Sequence, residues 1–127
     1  MSAVVQPGSS YERETAIGRV VPPARVGAGC RIAGDARVGS LAVLGDNVRV
    51  GEGTTIEQAV VFNGADIGPN CLLRNCVLGA GARVGANTHI EGGAVLGEGV
   101  TIGADNILSH GARIFPGVSL PDGAIRF

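Results

Sequence analysis

From Val20 to Leu120 an aliphatic residue returns every five or six positions, and no other property of this chain limits its fold so strongly. The series runs Val20, Val26, Ile32, Val38, Leu44, Val50, Ile56, Val61, Ile67, Leu73, Leu78, Val84, Ile90, Leu96, Ile102, Leu108, Ile114 and Leu120. Fifteen of its seventeen intervals are six residues and two are five. The stretch "CLLRNCVLGAGARVGANTHIEGGAVLGEGV", residues 71–100, shows the unit plainly: a small residue two positions before each aliphatic, and in most cases Gly one position after it. A period carried this far outranks local propensity, because each unit buries its apolar side only against its neighbours.

With the aliphatic residue as position one, position five is nearly always small: Ala24, Cys30, Ala36, Ala42, Ala59, Ala65, Cys71, Cys76 and Ala82 among others. Side chains alternate across a strand, so positions five and one face the same interior and position six points out. Position four is Gly, Asn or Asp, residues that tolerate positive φ, with Pro23 and Leu41 as the exceptions. Each hexad is therefore expected to end in a tight turn there. The two short hexads, beginning at Ile56 and Leu73, align if that turn position is dropped. Three hexads make one triangular coil of about eighteen residues, which predicts an all-β parallel β-helix of about six coils, roughly 29 Å long at the ~4.8 Å strand spacing. Pro22 and Pro23 are expected to blunt its open first edge.

Residues 16–127 read as one β-helix domain, preceded by a linker or lead-in segment over residues 1–15, "MSAVVQPGSSYERET". Hydrophobic residues make up 45% of the chain with only three Phe and one Tyr, so the core is aliphatic. A net charge of −1 gives no reason to expect nucleic acid or a membrane surface as partner. All ten cationic side chains are Arg, which removes lysine-dependent chemistry. No apolar run approaches the ~20 residues of a membrane span and no signal-peptide pattern opens the chain, so a cytoplasmic location is expected.

The segments "GRVVPPARVGAGCRI", "TTIEQAVVFNGADIGPNCLLRNCVLGAGARVG" and "GARIFPGVSLPDGAIRF" resemble the C-terminal domain of bacterial mannose-1-phosphate guanylyltransferases and related sugar-phosphate nucleotidyltransferases. The resemblance covers about Gly18 to Phe127. It implies that the β-helix is left-handed, an exception among parallel crossovers. It also implies that GTP and mannose 1-phosphate react, with magnesium, in a catalytic domain that these 127 residues do not contain. No catalytic, cofactor or metal-binding residue carries over onto this chain, which is expected to have no transferase activity alone. Oligomerisation or regulation is the expected role.

His89 and His110 are the side chains that invite another reading, a small hexapeptide-repeat acyltransferase with a histidine general base. Both belong to outward or turn positions, Ile107 rather than His110 should stack on His89, and a metal site would lack a third His. Cys30, Cys71 and Cys76 occupy inward positions and read as packing residues. Asn106 is the one inward amide and is expected to bond turn backbone of its own or the next coil.

Sorting position six by face gives Arg25, Val43, Val60, Val77, Val95 and Arg113 on the first, Arg31, Arg49, Asp66, Arg83, Thr101 and Ser119 on the second, and Arg37, Thr55, Leu72, His89, Ile107 and Ile125 on the third. Four successive outward valines, with Phe62 and Phe115 pointing out beside them, make a contiguous apolar stripe rather than scattered surface residues. Val43, Val60, Phe62, Val77, Val95 and Phe115 are thus the candidate interface, with another copy of the chain or the catalytic domain as partner. The Arg-bearing second face reads as a solvated surface, with an anion site as the minority reading.

Overall fold

The computed structural model describes residues 2–5, 19–20 and 23–126, with side chains for 23–126. Among the described residues all elements are strands, and all but the first stack as a left-handed parallel β-helix with three faces. The first face stacks β3 (Ala24–Gly27), β6 (Ala42–Leu44), the second half of β8 (Thr55–Val61), the second half of β10 (Leu72–Leu78), β13 (Ala94–Leu96) and β16 (Arg113–Ile114). The second stacks β4 (Arg31–Ile32), β7 (Arg49–Val50), β9 (Asp66–Ile67), β11 (Arg83–Val84), β14 (Thr101–Ile102) and β17 (Ser119–Leu120). The third stacks β2 (Arg19–Val20), β5 (Arg37–Val38), the first halves of β8 and β10, β12 (His89–Ile90) and β15 (Ile107–Leu108).

The inward column is as the period requires: Val26, Val38, Leu44, Ile56, Leu73, Leu78, Ile90 and Leu108 are fully enclosed, with the small position-five residues beside them. Such side chains each contribute about 1.5–3 kcal/mol on burial. Among the described residues only the last coil departs, where Ile114 and Leu120 are half-buried and Val118 is 36% exposed.

Two glycine positions have different physical reasons. At position four the reason is φ: Gly81, at +69°, would carry a Cβ with nothing within 4 Å. At position two it is contact, since a Cβ on Gly85 would lie 2.6 Å from the Ala104 nitrogen of the next coil.

Several corners, and the first edge of the stack, depart from expectation. Leu41, an exception on paper, adopts the turn conformation at φ 64°, whereas Asp35 is absent from the positive-φ residues and instead accepts the Gly53 N–H on Oδ1 at 2.9 Å. The short hexads do not lose their turn: Gln58 and Asn75 take φ of 50° and 51°, so one left-handed residue bends a continuous seven-residue strand around the corner. At the end of the chain Ile125 does not point outward. Ile107 pairs with Arg126, and Ile125 packs against the core below Asn106, because the last corner holds one residue more than the others. Finally, the first edge of β3 is paired rather than blunted, for β1 (Ser2–Val5) runs antiparallel to it from Ser2↔Gly27 to Val5↔Ala24. Pro22 and the rest of the expected lead-in, residues 1 and 6–18, lie outside the described residues.

Candidate functional site

The strand register sets the outward residues of the first face in one file, Arg25, Val43, Val60, Val77, Val95 and Arg113, each directly beside the next. Val43 is exposed and the other three valines are half-buried by their own neighbours. At the ~4.8 Å coil step, four valines in file span roughly 14 Å. Arg113 closes the file at its last end, and at the first end Arg25 is followed in register by Val4 of β1.

Phe62 and Phe115 stand at the edge between the first and second faces, 50% and 76% exposed. They occupy position two, which is Gly79 and Gly97 in the two coils between them; the backbone bonds Phe62 N–H to Leu78 O, Gly79 N–H to Leu96 O and Gly97 N–H to Ile114 O define the column. The rings therefore flank two coils of bare backbone. Leu41 was missed as a surface residue by sequence reasoning. It is 59% exposed at the opposite edge, beside a small recess of about 230 Å³ lined by Pro23, Arg25 and Val43, and carries the apolar surface around the corner. The signal was a large aliphatic at a position otherwise held by Gly, Asn or Asp.

The residues that suggest chemistry are not brought together. His89 stands exposed on the third face between Leu72 and Ile107, as expected. His110 lies in a turn at φ 57°, its Nδ1 3.0 Å from the Ser109 hydroxyl. Among the described residues no group of three or more His, Cys, Asp or Glu is placed to hold a metal ion. The three cysteines are free and buried. Burial pushes the Cys76 thiol up to about 12, and burial is also the main cause raising Cys30 and Cys71. The Cys30 and Cys71 thiols donate to Gly45 O and Gly85 O, each at 3.1 Å.

Asn106 is fully enclosed and bonded on both sides of its amide. Nδ2 donates to Gly103 O at 2.9 Å and Pro121 O at 3.1 Å, and Oδ1 accepts the Ile125 N–H at 2.8 Å. It is the last of a column: Thr54 donates to Gly68 O at 2.6 Å and Thr88 to Gly103 O at 3.0 Å, with the Cys71 thiol between them.

The second face has its own file, Arg31, Arg49, Asp66, Arg83, Thr101 and Ser119. At its first end an open groove of about 700 Å³ is lined by Arg31, Arg49, Asp66, Gly51, Gly68 and Pro69 together with the strand backbone between them.

Fold and period define a hexapeptide-repeat β-helix domain, and the family match places it among the nucleotidyltransferase domains of that kind. The chain belongs to the GMPPB C-terminal domain family, whose model matches residues 20–123. Among curated relatives, the bifunctional protein GlmU of Paraburkholderia xenovorans is 48% identical over 52 residues, which is 35% of this chain and 12% of that protein. The glucose-1-phosphate adenylyltransferase of Mannheimia succiniciproducens is 49% identical over 39 residues, 31% of this chain and 9% of that protein. The matched stretches thus span about a tenth of those relatives. Among solved structures, the acetyltransferase domain of PglB from Neisseria gonorrhoeae superposes with a TM-score of 0.77 at 25% identity, covering 85% of this chain and 52% of that one. A GDP-perosamine N-acetyl transferase from Caulobacter crescentus gives 0.77 at 18% identity over 85% and 50%, a likeness of fold alone.

Proposed function

We propose that this chain is the non-catalytic β-helix domain of a mannose-1-phosphate guanylyltransferase and that its first face joins copies of that GDP-mannose-forming enzyme. The observation that carries the assembly role is the in-register valine file with its flanking phenylalanines, an apolar surface of the kind that marks protein contacts. The family match supports the nucleotidyltransferase parent. In this reading GTP and mannose 1-phosphate react, with magnesium, in a domain beyond these residues, and the chain alone turns over neither.

The test is solution mass by light scattering on the wild type and on Val60→Arg/Val77→Arg. A defined oligomer that becomes a folded monomer in the variant is the expected result. A wild-type monomer, or an oligomer indifferent to the two arginines, overturns the self-association reading and leaves the face to the catalytic domain. Turnover of mannose 1-phosphate and GTP by the purified chain would refute the non-catalytic assignment.

A second reading is favoured by the PglB likeness, a small acetyltransferase with His89 or His110 as general base. It requires acetyl-CoA binding by calorimetry and acetyl transfer to an acceptor that His89→Ala or His110→Ala slows while leaving that binding in place.

A further inference from the structure

We infer that the groove on the second face is a binding site for a small phosphate monoester with a hydroxylated body, independent of the apolar stripe on the first face. The argument begins with charge. Along the second-face file, Arg49 neighbours Asp66 and Asp66 neighbours Arg83, which are complementary, and Arg83 neighbours Thr101, which is neutral. Arg31 and Arg49 alone break the pattern: two guanidinium groups start from adjacent strands, ~4.8 Å apart, where like charges directly opposite are destabilising.

Among the described residues, neither arginine is joined to a carboxylate by an ion pair; the ion pair that is formed, Arg74 to Glu57 at 2.8 Å, lies at another corner. Both arginines line the groove, where the one carboxylate in the lining, Asp66, neighbours Arg49 and is shared with Arg83, so positive charge is left in excess at the Arg31 end. Arg37, in register with Arg19 on the third face, is not part of the groove lining.

A dianion placed between Arg31 and Arg49 removes their repulsion and matches the guanidinium forks, which bind phosphate oxygens in pairs. The rest of the groove describes the remainder of the ligand. Asp66, one coil on, is a carboxylate that accepts hydrogen bonds from hydroxyl groups. Gly51 and Gly68 give a floor without side chains, and Pro69 an exposed apolar ring at its border. The volume, about 700 Å³, is in the range of small-molecule sites. A polyanion fits poorly: it would run from the arginine pair onto Asp66, and the chain as a whole carries a net charge of −1.

The experiment is calorimetric titration of the whole chain with glucose 6-phosphate, inorganic phosphate and glucose, with amide chemical shifts to place the contact. Glucose 6-phosphate is expected to bind and to shift the Gly51 and Gly68 amides. Inorganic phosphate should bind more weakly, and glucose not measurably. Arg31→Glu or Arg49→Glu should weaken both anions at least about tenfold, the loss of charged hydrogen bonds. Asp66→Asn should retain inorganic phosphate while narrowing the preference for the sugar phosphate. All three are surface residues whose variants are checked for folding by circular dichroism. No binding at millimolar ligand, affinity indifferent to the arginines, or shifts confined to other faces overturns the assignment. None of these outcomes touches the assembly reading, which rests on the mass measurement.

Discussion

Replacing Asn106 with Ala should loosen the last coil more than the loss of a side chain of that size suggests. Asn106 is fully enclosed, and its amide holds three short bonds, to Gly103 O at 2.9 Å, Pro121 O at 3.1 Å and from Ile125 N at 2.8 Å. Two of them reach the following coil, which keeps its backbone ladder but packs less apolar surface than the others, since Ile114 and Leu120 are only half-buried. A net hydrogen bond contributes about 0.5–1.5 kcal/mol, and a buried donor left without a partner costs about 1–3 kcal/mol. Three bonds lost together, one leaving the Ile125 N–H stranded, predict a loss of roughly 2–4 kcal/mol for Asn106→Ala. Asn106→Thr should cost less than half of that, because Thr88 already performs the same task one coil earlier, donating to Gly103 O at 3.0 Å and accepting the Asn106 N–H at 3.4 Å. Urea unfolding measures the global change. Hydrogen exchange at Ile125 and Ile107 measures the local one, since Ile107 N–H donates to Ile125 O at 2.7 Å and a stacked repeat opens from its ends. If the Ala variant lies within about 0.5 kcal/mol of wild type and the Ile125 amide keeps its protection, the amide is not what fastens the coil.

Gly85→Ala should destabilise by more than Gly81→Ala, although only Gly81 has positive φ. The added methyl at Gly85 meets next-coil backbone at 2.6 Å and forces a shift costing about 2 kcal/mol or more, whereas at Gly81 it meets nothing and costs the left-handed penalty of about 1–2 kcal/mol; denaturant midpoints showing the reverse order would refute the close-approach argument. Stability should fall above about pH 9, because a Cys76 thiol held up to about 12 stays neutral in the fold while its unfolded counterpart ionises at about 8.5. The contribution is complete below the unfolded pKa and is lost as pH rises toward the folded one, at about 1.4 kcal/mol per pH unit. Cys30 and Cys71 act in the same direction. Urea midpoints from pH 8 to 11 test this, and Cys76→Ala should flatten the decline; an unchanged slope counts against it.

What could be read in the sequence was whatever the period repeats identically. Inward and outward positions follow from alternation, which places Leu73, Ile90 and Leu108 in the core and the file Val43, Val60, Val77 and Val95 on one face, as the structure has them. What the period does not repeat was harder. The corner conformations of Leu41, Gln58 and Asn75 depend on how many residues must turn through one angle, and local residue type points the wrong way at Leu41 and Gln58. The outward reading of Ile125 failed because one extra residue at the last corner is invisible to a count that assumes six. The second-face groove was overlooked because its arginines come from one position and its glycine floor from another, and only the coil step sets them side by side.

The sequence marks Asn106 as the one inward amide, and the structure sets it at the end of a polar column. Thr54, Cys71, Thr88 and Asn106 form one column at the corner entering the third face, and each donates to a carbonyl of the coil after it: Gly68, Gly85, Gly103 and Pro121. The aliphatic columns cannot distinguish one hexad from the next, since Val, Ile and Leu at position one are nearly interchangeable in shape. A slip of one hexad would keep most of their burial. It would also carry Thr88 to the place of Ala82 or Ala94, and Asn106 to the place of Val100 or Ala112, breaking the donor series and leaving the Asn106 amide among apolar side chains at a cost of about 1–3 kcal/mol for each stranded group. Aliphatic burial thus makes the prism stable, while the polar column selects which coil lies on which.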